Sequence, residues 1–171
     1  MFISFHSGWT WFSYNLQVAS TDMNAVLATI GPSDNDYCKS QTKFASYYGA
    51  YAVWYGSLSS ILPTKSYKCR LASSAVLALT GTPIAIGNST TIPLEAGWTW
   101  LPYLRQVGGT LNAVMPSHSS GTYANGDYIK SQTQFSTFYP GYGWYGSLVY
   151  MYPGEGYMLR VAVAGTAVYV E

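Results

Sequence analysis

The chain has 171 residues, a formal net charge of +1, 9% charged residues and 17% aromatic ones. That balance excludes an electrostatic footprint for nucleic acid or an anionic membrane, and every apolar run is far shorter than the ~18 residues a membrane helix needs. Seventeen Tyr and 17 Gly, with abundant Ser and Thr, argue for an ordered chain and place it outside the cell or on its surface.

Met1-Phe2-Ile3-Ser4-Phe5 opens the chain as an apolar, β-prone segment. It lacks the basic region and cleavage site of a secretory leader. Either the chain is a mature part or a fragment, or the extracellular placement does not hold. Trp9 and Trp11 then alternate with Thr10, the period of a strand, and this aromatic face is read as core. Met23, Val26, Leu27 and Ile30 carry the stripe of a short amphipathic helix. Thr21 or Asp22 stands at its cap, and Gly31-Pro32 ends it. Tyr37 to Phe44 follows as a strand, with Cys38, Ser40, Thr42 and Phe44 on the core side and Tyr37, Lys39 and Gln41 opposite. Tyr47, Tyr48 and Tyr51 form an aromatic loop. Trp54–Leu58 and Tyr67–Leu71 are further strands around a turn at Pro63, and Ala75–Leu79 closes the unit.

The whole pattern then returns. Gly8-Trp9-Thr10-Trp11 is repeated as Gly97-Trp98-Thr99-Trp100, and Asp36-Tyr37-Cys38-Lys39-Ser40-Gln41-Thr42 as Asp127-Tyr128-Ile129-Lys130-Ser131-Gln132-Thr133. Trp54-Tyr55-Gly56-Ser57-Leu58 returns as Trp144-Tyr145-Gly146-Ser147-Leu148. The helix stripe returns as Leu111, Val114 and Met115 behind Thr110, and the aromatic loop as Phe138, Tyr139 and Tyr142. Ala167–Val170 closes the second copy. The offset drifts only from 88 (Met23 to Leu111) to 91 (Asp36 to Asp127), so insertions are small. The expected fold is mainly β: two tandem homologous domains, each a small antiparallel β-sandwich or barrel with one short helix. The first spans residues 1–80 and the second 97–171. Residues 81–96 form a linker that packs, because Ile84, Ile86, Ile92 and Leu94 interrupt its turn residues.

The order Gly-Trp-x-Trp, short helix, Lys-Ser-Gln, aromatic loop, Trp-x-Gly-Ser-Leu, Pro-x-x-x-Tyr resembles the Gly-Trp-Asn β-rich repeats of large secreted and cell-surface proteins of aquatic bacteria and their relatives. The Thr-Gly-Thr-Pro at Thr80–Pro83 is similar to the junctions between such repeats. Thr10 and Thr99 stand where that pattern has Asn. The resemblance implies a structural or adhesive surface module and supplies no catalytic residue.

Catalytic chemistry is sparse. Asp36 and Asp127 are the only acids at matching positions, so no duplicated carboxylate pair exists. His6 and His118 are unmatched and are expected in solvated or capping roles. Asp34-Asn35-Asp36 is a turn rather than a calcium loop, since the glycine and distal Glu are missing. No catalytic residue, metal ligand or cofactor is assigned, and the chain is not expected to be an enzyme. Tyr48, Tyr51, Tyr139 and Tyr142 lie among small and turn residues, suited to a ligand or an interface. Asn88-Ser89-Thr90 is a glycosylation sequon. Cys38 and Cys69 are both lost in copy two, to Ile129 and Leu159. Joint loss points to a disulfide, the alternative being two separate buried thiols.

These features predict a structural or adhesive extracellular protein that joins copies of itself head-to-tail into a filament or surface array. Phe2, Ile3 and Phe5 of one chain would meet Ala167, Val168, Tyr169 and Val170 of the next. The alternative is a carbohydrate-binding module using the tyrosine loops. The expected partners are the chain itself and, on the alternative reading, glycans, with no nucleic acid and no transmembrane segment.

Overall fold

A computed structural model describes residues 1–87 and 90–170. The chain is mainly antiparallel β, of sandwich type, with two four-residue α-helices among the described residues. Each copy contributes one five-stranded sheet. In copy one the strands are β1 (Gly8–Phe12), β2 (Tyr37–Lys39), β3 (Phe44–Tyr48), β4 (Val53–Gly56) and β5 (Tyr67–Leu71), in the spatial order β1-β5-β2-β3-β4. In copy two they are β6 (Gly97–Pro102), β7 (Tyr128–Lys130), β8 (Phe135–Tyr139), β9 (Gly143–Gly146) and β10 (Gly156–Val161), in the order β6-β10-β7-β8-β9. The register matches as well: Cys38 faces Cys69 where Ile129 faces Leu159.

The inner face of each sheet packs on a short ribbon and a helical turn. Phe2–Phe5 pairs with Ala75–Ala78, and Thr91–Leu94 pairs with Gly165–Val168 in the same way. One core gathers Ile3, Phe5, Phe12, Leu27, Ile61 and Leu77; a second gathers Ile92, Leu94, Leu101, Leu111, Leu159 and Tyr169. Gly81–Pro83 pairs with Leu16–Val18 of copy one, and Thr91–Leu94 pairs with Gly165–Val168 of copy two. The helix at Met23–Val26 is capped by the Asp22 carboxylate, which accepts from the backbone N–H of Asn24 and Ala25. The rest of its stripe continues as a 3-10 turn to Ile30 and stops at Gly31, whose φ is 56°. Gly56 and Gly146 are required by close approach: a Cβ there would lie 2.3 Å from the carbonyl oxygen of Phe44 or Phe135. Substituting either glycine would force β3 and β4, or β8 and β9, apart.

Three sequence expectations are corrected by the way strands are covered. The tryptophans of Gly-Trp-Thr-Trp are not core. Thr10 and Phe12 point inward, and Trp9 and Trp11 lie on the outer face, with Trp98 and Trp100 placed alike. Burial of the small Thr10 is satisfied because its hydroxyl accepts from the backbone N–H of His6, as Thr99 accepts from Glu95. Phe44 is likewise outside and 52% exposed, as is its counterpart Phe135 at 48%. The chain reverses between Ser40 and Lys43, where the Ser40 N–H donates to the Lys43 carbonyl at 2.8 Å, and this turn breaks the alternation counted from Cys38. His118 is buried, so of the solvated and capping roles expected for it only the second stands. Its Nδ1 accepts from the Ser120 N–H at 3.1 Å, which leaves the Nε2–H to donate to the Val163 carbonyl at 3.1 Å.

The free edges of both large sheets are closed by side-chain amides. On β1, the Gln132 amide donates to the Trp9 carbonyl and accepts from the Trp11 N–H, at 2.7 and 3.1 Å. On β6, Gln41 does the same to Trp98 and Trp100, at 2.7 and 2.9 Å. Each glutamine comes from the other copy, so the two copies embrace reciprocally. On β4, the Trp54 N–H donates to Asn24; on β9, Asn112 both accepts from and donates to the backbone of Trp144. An edge strand needs such cover to avoid recruiting another chain.

Candidate binding surface

The outer faces of the two large sheets carry the residues that neither core uses. Strand register places Trp9, Arg70, Tyr37, Ser46 and Tyr55 side by side across β1, β5, β2, β3 and β4. Copy two repeats the row as Trp98, Arg160, Tyr128, Thr137 and Tyr145. Beside it runs a second row, Trp11, Lys68, Lys39 and Phe44, matched by Trp100, Met158, Lys130 and Phe135. Side chains on one sheet face recur every second residue along a strand, so these positions project together.

Neighbouring rings fix one another. Trp9 meets Tyr37 edge-on at 6.1 Å and Trp98 meets Tyr128 at 5.9 Å, both with planes 87° apart. Tyr37 stacks on Phe44, and Tyr128 on Phe135, at 6.0 and 5.5 Å. The Arg160 guanidinium lies 5.9 Å from the Trp98 ring and 5.8 Å from Tyr128. Such contacts hold aromatic rings in place at little further entropy cost when a ligand arrives.

At the outer edge the row meets the tyrosine loops. Tyr48, Tyr51, Val53 and Tyr55 line one apolar hollow. Tyr51 and Tyr142 are 79% and 77% exposed. Tyr48 and Tyr139 are exposed as well, whereas Tyr47 and Phe138 turn inward against Trp54 and Trp144. The tyrosines singled out in the sequence are therefore at the surface. Tyr55 and Tyr145 were missed, although the matched Trp-Tyr-Gly-Ser-Leu segment held them in plain view. Large exposed aromatic patches on a folded chain mark interaction surfaces.

The remaining candidates fall elsewhere. Ile3 and Phe5 are buried, as are Ala167 and Tyr169, and Gly165–Val168 is already paired on both sides. Phe2 and Val170 stay exposed. The contact between copies is reciprocal, the same face of each meeting the other. Cys38 and Cys69 form a disulfide between the neighbouring strands β2 and β5. Asn88 lies outside the described residues. Asp36 and Asp127 are buried pins: each carboxylate accepts two backbone N–H groups, from Ser33 and Ala72 or from Ala124 and Ala162, at 2.7 to 2.8 Å. Asp34 caps the Gly49 N–H, the turn role expected of its triplet. Among the described residues no group of three or more His, Cys, Asp or Glu is placed to hold a metal ion, and no helix is long and apolar enough to cross a membrane.

No protein-family model, curated protein or solved structure matches this chain.

Proposed function

We propose that this protein is an extracellular adhesive module that holds a polysaccharide on the aromatic outer faces of its two large sheets. The observation that carries this reading is the duplicated row Trp–Arg–Tyr–hydroxyl–Tyr, built twice at identical register positions and left outside both cores. Aromatic rings match the apolar faces of pyranose rings, and the Ser46 or Thr137 hydroxyl stands within the row for the sugar's own hydroxyls. Two equivalent faces on one chain raise avidity for a long polymer without new contacts. The Cys38–Cys69 disulfide suits an oxidising compartment.

Depletion of the protein from solution by insoluble polysaccharides tests the reading. The variant Tyr55→Ala/Tyr145→Ala removes one exposed ring from each face and leaves both cores intact. Loss of about 1.4 kcal/mol per site corresponds to roughly tenfold weaker binding. Unchanged depletion by the variant, with wild-type binding measurable, would refute the role of the rows.

Head-to-tail self-association into a filament or surface array is the second reading. It is favoured by Phe2, 80% exposed beside the amino terminus, and Val170, 52% exposed near the other end. Sedimentation velocity at rising concentration separates the two readings. Growth that stops on Phe2→Ser supports assembly; a monomer at every concentration counts against it.

A further inference from the structure

The junction between the copies concentrates positive charge without a counter-charge. Lys68 Nζ lies 3.5 Å from the Trp11 ring centre, 4.4 Å from that of Trp100, and 3.1 Å from the Met158 sulfur. Lys39 lies 5.4 Å from Trp9 of its own copy and 5.9 Å from Trp100 of the other. Lys130 mirrors it, 5.0 Å from Trp98 and 5.8 Å from Trp11. Arg70 and Arg160 stand exposed at the next register positions. Five of the chain's eight Lys and Arg thus sit on these two faces, and no acidic residue occupies a position in either pair of rows.

Such a cluster is costly alone. Lys39 and Lys68 are direct cross-strand partners, an arrangement that is destabilising for like charges. Burial first, then the neighbouring Lys39 and Lys130, lower the Lys68 pKa to about 8. The tryptophan rings offset part of this through their negative faces, yet they add no net charge. An anion delivered to the junction would relieve the repulsion.

Building on the polysaccharide reading, we propose that the preferred polymer is acidic, bearing carboxylate or sulfate groups that Lys39, Lys130, Arg70 and Arg160 receive while Trp9 and Trp98 stack on its sugar rings. Charge and aromatic surface alternate at strand spacing, ~4.8 Å, so a chain crossing the strands meets both in turn. A nucleic acid is the weaker match, because the disulfide points to an oxidising compartment and the protein as a whole carries only +1.

The experiment uses the full, oxidised chain in affinity electrophoresis and titration calorimetry with polygalacturonate, neutral dextran and an oligo-dT strand. Polygalacturonate is expected to bind at least tenfold more tightly than dextran at low salt, and to lose about tenfold of its affinity near 0.5 M salt through screening. Lys39→Gln/Lys130→Gln should weaken polygalacturonate about tenfold or more, a much larger loss than dextran shows. Should that variant lose its near-ultraviolet dichroism, Arg70→Gln/Arg160→Gln, at exposed positions, takes its place with the same expectation. Dextran binding as tightly as polygalacturonate overturns the acidic preference while the polysaccharide reading stands. Binding of neither polymer overturns both. Oligo-dT binding as tightly as polygalacturonate, or folded lysine or arginine variants that bind like wild type, overturns the assignment of this surface.

Discussion

Raising the pH above 10 is expected to unfold the protein in one steep step. Six tyrosines, Tyr14, Tyr67, Tyr103, Tyr123, Tyr157 and Tyr169, are buried in the two cores. Burial raises the pKa of every one of them above the ordinary 10.0, and Tyr67 reaches about 12. Their hydroxyls donate to internal acceptors: Tyr14 to the Ile61 carbonyl, Tyr103 to Val107, Tyr123 to Pro116 and Tyr157 to the Glu155 carboxylate. Each bond needs the phenol protonated. A folded pKa above the unfolded one means that the native state retains protons which the unfolded chain gives up. The stabilisation is therefore whole below pH 10 and falls as pH climbs beyond it. Each tyrosine contributes a slope near 1.4 kcal/mol per pH unit. Tyr67, Tyr123, Tyr157 and Tyr169 together reach ~5 to 6 kcal/mol per unit, a large part of a typical domain's 5–15 kcal/mol, and Tyr14 and Tyr103 act in the same direction. Lys68 works with the opposite sign. Its folded pKa of about 8 lies below the ordinary 10.5, so the cost of its buried charge lifts between those values. Tyrosinate absorbance should rise abruptly where near-ultraviolet dichroism collapses. A gradual ionisation of the buried tyrosines with the fold intact to pH 12 would sink this account.

The second large effect lies at the disulfide. Cys38 and Cys69 enclose 31 residues of sequence separation, and closing such a loop in the unfolded chain is worth ~3–4 kcal/mol in the entropy model. The double variant Cys38→Ile/Cys69→Leu installs the pair that copy two already holds at Ile129 and Leu159, both fully buried. The register is the same in both sheets, so the variant should fold. Its denaturant midpoint should fall, and its free energy of unfolding should be lower by most of that amount. Wild type under reductant should move with it. A midpoint that does not move, with the bridge verified by mass in wild type, would show that the staple contributes nothing to the folded balance.

Much of this architecture was legible because it is written twice. Matching segments located the strands, the helical turn at Met23 or Leu111, and the paired loss of two cysteines. Strand alternation told which residues share a face but not which face would be covered. Trp9 and Trp11 are larger and more apolar than Thr10, so the tryptophan side was assigned to the core. Yet Thr10 goes inside, its hydroxyl satisfied by the His6 N–H, and the tryptophans meet the other copy. That contact joins residues 121 and 123 positions apart, Gln132 with Trp11 and Trp9, and no local pattern announces it. The outer-face rows were hidden for the same reason. Tyr55, Arg70 and Trp9 become neighbours only through cross-strand register, whereas the tyrosine loops, contiguous in sequence, were visible from the start.

The amide brackets at the four sheet edges bear on how densely such a protein can be displayed. A surface with eight exposed tyrosines on a chain of little net charge has scant electrostatic repulsion to keep molecules apart. Under crowding, β proteins of this kind ordinarily face fibrillar conversion, templated one strand on another. Here Gln41, Gln132, Asn24 and Asn112 already occupy one or two of the backbone groups that each edge strand would offer a seed. Contact between crowded molecules is thereby shifted toward side chains, which release again, and away from an irreversible cross-β stack.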